Sequence, residues 1–156
     1  MIEIMREKKN KLYLGFMDLQ QGYDRVNRKG LWQVLVIYSV GDRLLNGIKS
    51  MYDDSEACVR INGVKSDWFS INSGVRQGCV MSPWLFNLYM DGVMKELKVG
   101  VTGNGVRMME MSGGCPTYYM RMIWFCVANL KSLRGLVERF GRVCKRRGLK
   151  VNIDKS

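Results

Sequence analysis

Asp18 closes the apolar run KLYLGFMD (11–18), and Tyr23 follows it five residues later within FMDLQQGYDRV (16–26). An acid at the end of a buried strand with an aromatic close behind is the arrangement of a metal-holding carboxylate beside a flat ring. Taken alone, the same residues also fit a turn or cap acid and a core aromatic. A second group lies in SGVRQGCVMSPWLFNLYMD (73–91), where Gly74 and Gly78 let the backbone approach a ligand closely and Arg76 and Gln77 offer donors. As a lone glycine-containing loop before a helix, this stretch is weak evidence of a site. The third is GLKVNIDKS (148–156), an apolar strand leading to Lys155, which by itself reads as an ordinary surface lysine.

These residues need elements to hold them. KLYLGFMD predicts a buried strand, and Asn27 predicts the N-cap of a helix through RKGLWQVLVIYS, with Leu31, Val34, Leu35 and Tyr38 at helical spacing. A second helix is predicted through DRLLNGIKSMY after Gly41. EACVRINGVKSDWFSI holds two alternating runs around Asn62-Gly63, a strong hairpin signal. Ser82 as N-cap and Pro83 at the first helical position open a helix through SPWLFNLYMDGVMKELK. Residues 100–128 read as a second hairpin with Trp124 and Phe125 as core. From Asn129 a helix carries Leu130, Leu133, Leu136, Val137, Phe140, Val143 and Cys144 as its apolar stripe. It stops at Gly148 after a basic last turn, and LKVNI (149–153) forms a strand. Strands and helices alternate irregularly and with hairpins, so the expected fold class is α+β.

Composition narrows the possibilities. The chain has 156 residues, 47% hydrophobic and 25% charged, which is the make-up of a globular domain. Its formal net charge of +11 comes from Lys and Arg alone, since there is no His. That balance suits a polyanionic partner, nucleic acid or an anionic membrane surface, and equally suits a solvated basic surface. The five Cys form no CxxC pair, and without His the mixed zinc sites are excluded. Reduced thiols point to an intracellular compartment. The longest apolar run, MIWFCVA, is far short of the ~20 residues of a membrane span.

In this order and spacing the three groups resemble the palm of non-LTR (LINE-type) retrotransposon reverse transcriptases, from about Lys11 to Ser156 after a basic segment at 1–10. FMDLQQGYDRV and RQGCVMSPWLFNLYMD carry the likeness most specifically. The resemblance implies a partial right-hand polymerase palm, an antiparallel sheet packed on helices, acting on an RNA template, a DNA primer and deoxynucleotides. It implies that Asp18 is the first metal-binding aspartate and that Tyr23 lies under the incoming sugar. Arg76 is placed among the substrate-binding residues, Gln77 and Gly78 in the loop on the nascent pair and template, and Lys155 assists pyrophosphate departure. Asp24 is expected to hold local structure. Nucleotide addition in the family is an in-line phosphoryl transfer with two Mg²⁺, hard cations bound by carboxylate oxygens. Fingers precede and a thumb follows this palm in the family, so a bare palm is expected to be marginal and prone to association.

One part of the pattern is missing. The family places Tyr-Ala-Asp-Asp in the turn of the later hairpin; here Tyr119 to Met122 reads Tyr-Met-Arg-Met, and no Asp or Glu occurs between Glu110 and Glu138. Met and Trp have single codons, which allows the segment to be read one base out of step. If Tyr119 ends in T and Arg121 is CGG, the last base of each codon joined to the first two of the next reads Tyr, Ala, Asp, Asp from Tyr119 to Ile123, and permitted third bases extend the reading. It then continues Leu-Val-Leu-Cys-Gly-Glu-Ser-Glu-Glu through Lys131. The in-frame likeness resumes at LRGLVERF. We therefore expect two compensating frameshifts, near Ser112 and near Ser132. They exchange acids for Arg121 and Lys131, so part of the basicity follows from the frame. Asp18 is then expected to meet Arg121 and Met122 in place of two carboxylates, with little capacity for Mg²⁺ and no polymerisation.

Overall fold

The structure, a computed structural model, describes residues 13–98, 106–109, 122–127 and 130–155. The chain divides into two compact units, residues 1–22 with 90–156 and residues 23–89.

In the first unit, β1 (Tyr13–Leu19) pairs antiparallel with β7 (Met122–Val127), which in turn pairs with β6 (Val106–Met109). The short β8 (Val151–Asn152) pairs antiparallel on the other side of β1, giving the order β6-β7-β1-β8. The second hairpin expected over 100–128 is therefore present as β6 and β7. The side chains of Trp124 and Phe125 lie outside the described residues, as does Arg121. Alternation along β1 sets its two faces. Met17 and Leu19 are buried on the face of Gly15, while Phe16 and Asp18 belong to the other. A Cβ at Gly15 would lie 2.9 Å from Leu133 Cδ1. The Gly15 face is thus the one covered by α4 (Leu130–Arg146), and Asp18 stands on the opposite side of the sheet.

The helix α4 buries Leu136, Phe140, Val143 and Cys144 of the expected stripe, while Leu133 and Val137 are half-buried and the side chain of Leu130 lies outside the described residues. It ends where Gly148 adopts φ +77° and Leu149 N–H donates to Cys144 O at 2.9 Å, a left-handed cap that only glycine adopts cheaply. The strand expected over 149–153 is confined to two residues, because the chain turns at once into a 3₁₀ turn, Ile153–Lys155.

In the second unit, α1 (Arg28–Ile37) is capped by Asn27, whose Oδ1 accepts from Gly30 N–H at 3.1 Å. Leu31, Val34 and Leu35 are buried as expected; Tyr38 lies past the helix end at the C-cap and is exposed. Its spacing is helical, but the turn at Ser39, φ +57°, carries the chain away first. The helix α2 (Asp42–Ser50) follows. Asn62 and Gly63, both at positive φ, turn β3 (Arg60–Ile61) into β4 (Val64–Lys65). Outside them β2 (Glu56–Ala57) pairs with β5 (Phe69–Ser70). The long helix α3 (Ser82–Lys98), whose residues from 90 on belong to the first unit, begins one residue earlier than expected. Ser82 N–H bonds back to Cys79 O, and the Met81 carbonyl takes the first helical bond from Leu85. Ser82 Oγ is buried and makes no bond to the backbone N–H groups of the first turn, so the cap expected of it is not made.

Candidate active site

The sequence-nominated residues fall in both units, and each group is built within its own. In the first unit, β1 delivers Asp18 to the end of the ladder. There Met122 is its cross-strand partner on one side and Asn152 on the other. Asn152 Nδ2 donates to Asp18 Oδ2 at 3.1 Å. Gln20 N–H then bonds to Lys150 O at 2.8 Å, closing the sheet edge behind the acid. The 3₁₀ turn that ends at Lys155 runs beside β1, so Asp18 and the Lys155 backbone share one end of the sheet.

A two-magnesium site requires several carboxylates converging on each cation. Among the described residues no group of three His, Cys, Asp or Glu could hold a metal ion. The neighbours given to Asp18 by the ladder are a thioether residue and an amide, and the amide presents a donor to it. This donor set does not fit the pair of ions.

In the second unit the Tyr23 turn and the Arg76 loop are locked together. The Tyr23 ring stacks on the buried Phe86 of α3, centroids 4.6 Å apart and planes 13° off parallel. Val75 N–H donates to Tyr23 O and Gly74 N–H to Val26 O, each at 2.9 Å. Gln77 Nε2 donates to Asp24 Oδ1 at 2.8 Å, and Ser73 Oγ to Asp24 O at 3.2 Å. Asp24 thus serves local structure. The close approach at Gly74 is to the protein itself and not to a ligand: at φ +85°, an added Cβ would lie 2.9 Å from both Cα and O of Asp24. Gly78, φ +81°, has nothing within 4 Å of that position, so its need for glycine is the turn alone and its outer side is open. Arg76, Gln77 and Gly78 are all exposed.

Two residues escaped the sequence, one in each unit. Arg28 donates to four carbonyls, Gly74 O (3.0 Å), Tyr52 O (3.0 Å), Ile71 O (2.8 Å) and Ser73 O (3.4 Å). Its guanidinium lies 5.0 Å from the Tyr52 ring centroid, and that of Arg76 lies 5.7 Å from the same ring. Burial pushes the Arg28 pKa below its ordinary value and Arg76 adds to this, against the opposing pull of Tyr52 and Asp53. A cation in the first turn of a helix opposes the helix dipole, and that local conflict was the available signal. The other is Asn152, an amide inside a strand, a position where Asn is depleted.

The sequence matches the reverse transcriptase (RNA-dependent DNA polymerase) family over residues 2–156. It is 34% identical over 94 residues to a transposon TX1 protein of Xenopus laevis, covering 59% of this chain and 7% of that one. It is 31% identical over 97 residues to the Pol polyprotein of a type-1 retrotransposable element R2 of Nasonia vitripennis, covering 62% and 10%. The RNA-directed DNA polymerase from mobile element jockey of Drosophila funebris is 31% identical over 87 residues, 53% and 9%. The chain therefore spans about a tenth or less of the length of these relatives. In structure it is similar to telomerase from Candida albicans in complex with a fragment of telomeric RNA, TM-score 0.76 at 12% identity, covering 99% of this chain and 28% of that one. The apo telomerase of Candida tropicalis gives TM-score 0.75 at 14% identity, covering 99% and 30%. At such identity the likeness is one of fold.

Proposed function

Because the chain belongs to the reverse transcriptase (RNA-dependent DNA polymerase) family, with non-LTR retrotransposon polymerases among its relatives, we propose that it is a palm that engages template and primer but adds no nucleotides. In this reading residues 11–156 form the palm. Arg76, Gln77 and Gly78 meet an RNA template paired to a DNA primer, and Tyr23 lies against the sugar of the incoming deoxynucleotide. The open side of Gly78 and the exposed donors beside it support that role, and the stack on Phe86 would hold the Tyr23 ring flat. Lys155 is assigned the leaving pyrophosphate, which a lysine can neutralise as a point charge.

The observation that carries the loss of catalysis is the pairing of Asp18 with Met122. The shifted reading puts the two missing acids across codons 121–123, and Met122 is the residue the ladder sets beside Asp18. In this reading the vanished carboxylates belong beside Met122, which the Asp18–Met122 pairing supports. Without them, nothing among the described residues shares the metal-binding task with Asp18. The test is primer extension on an RNA template with Mg²⁺ and all four deoxynucleotides, run on the chain and on its Asp18→Asn variant. The expected result is no extension by either. Extension that vanishes in D18N would show an assembled metal site and sink the proposal. Genomic DNA beneath codons 110–134 tests the frameshift independently: a length change relative to related copies at both flanks is expected.

A further inference from the structure

The solvent side of α4 carries a feature that the Asp18 region does not use. Lys131, Arg134, Arg142 and Lys145 are all exposed. At 3.6 residues per turn they fall within an arc of about 80° and along about 21 Å of helix. None of the four takes part in an ion pair among the described residues. The nearby acid Glu96 is engaged by Arg146 at 2.6 Å and Arg147 at 2.9 Å, and Asp91 by Lys95 at 3.2 Å. Glu138 is the acid within the stripe, outnumbered four to one.

Gly135 lies on the same exposed side, and a Cβ placed there would meet nothing within 4 Å. Glycine inside a helix costs about 0.5–1 kcal/mol relative to alanine. Packing among the described residues gives no reason for it, whereas a backbone brought close to the helix would use the space. The opposite side of α4 is committed to the core through Leu136, Phe140, Val143 and Cys144. That commitment removes the apolar side an interfacial helix inserts into a bilayer. What remains is a row of cations of which two are guanidinium forks, shaped for phosphate oxygens. Because α4 covers the Gly15 side of β1, the row and Asp18 lie on opposite sides of the sheet.

We propose that this row binds the phosphate backbone of a nucleic-acid duplex at a place separate from the Asp18 side. The inference is independent of whether the Arg76 loop engages template and primer. Each phosphate neutralised releases condensed counterions, so the contact has a salt signature of about 0.9 per phosphate in the log–log slope.

The experiment is fluorescence anisotropy of a labelled DNA duplex titrated with the chain across a range of salt, for the native chain, R134E/R142E/K145E, and R76E in the other unit. The triple variant is expected to bind on the order of tenfold or more weakly at ~100 mM salt and to lose about 2–3 from the slope. R76E is expected to retain that component. Neutral R134Q/R142Q/K145Q, expected to shift the slope in the same direction, reads the effect if charge reversal disturbs folding by circular dichroism. Unchanged affinity and slope in the folded triple variants would overturn this inference while leaving the Arg76 proposal standing. Absence of duplex binding by the native chain would overturn it too, as would capture by phosphatidylserine vesicles, lost in the triple variant, in place of duplex binding.

Discussion

At Gly74 two demands coincide: a left-handed backbone, φ +85°, and contact of the missing side chain with Asp24 main-chain atoms at 2.9 Å. Backbone cannot swing aside as a side-chain tip can. Gly74→Ala is therefore expected to destabilise by about 2–4 kcal/mol, and Gly78→Ala, strained in φ but facing open space, by about 1 kcal/mol. Urea unfolding of the two variants checks that order. The buried thiol of Cys144 gives a second expectation. Burial raises its pKa from the ordinary 9.0 to about 12, so the unfolded chain ionises first. Stability from this group is complete below pH 9.0 and is lost as pH rises toward about 12. The urea midpoint of the native chain should fall more steeply across that window than that of Cys144→Ala. What the sequence could show at this scale depended on distance along the chain. The Asn27 cap acts over three residues and was legible. The Arg28 bond to Gly74 spans 46 residues and the Asn152 bond to Asp18 spans 134, and neither leaves a local trace beyond a residue type out of place.

Among the elements, α4 shows how far periodicity reaches. Its stripe from Leu136 to Cys144 is buried as its spacing requires, because a helix in a small domain must hide one side. The Asn62-Gly63 turn was equally plain, since its positive φ values restrict the residue types allowed. The outer strands β2 and β5, two residues each, were not legible as separate pairings, since two residues carry no period. The start of α3 was misjudged by one residue because the local Cys79–Ser82 turn leads straight into the helix and wins over the Ser-Pro capping preference. Gly135 supplies the test at this scale. With open space around it, Gly135→Ala should raise stability by about 0.5–1 kcal/mol, read as a higher urea midpoint.

For the whole molecule, the net charge of +11 pointed to polyanions without saying where they would bind. The structure distributes that charge unevenly. Arg28 is absorbed by carbonyls, Arg146 and Arg147 by Glu96, while the outer side of α4 is left to the solvent. The fold class was readable, and so were the residues nominated in each unit, Asp18 in one and Tyr23 with the Arg76 loop in the other, because motifs of fixed spacing carried them. Met122 beside Asp18 was expected through the family resemblance and not from local pattern, and Asn152, the partner on the other side, was not expected at all, since register is settled by pairing between strands about a hundred residues apart. That register has a consequence for repair. The ladder is written in main-chain amides and carbonyls, which methionine supplies as well as aspartate, so this pairing does not depend on an acid at position 122. An aspartate installed at position 122 would stand opposite Asp18 at ~4.5–5.5 Å between Cα atoms, two like charges held face to face. Met122→Asp should therefore melt at a lower temperature than the native chain in a chelating buffer and recover on adding Mg²⁺, a thermal signature of a reawakened cation seat.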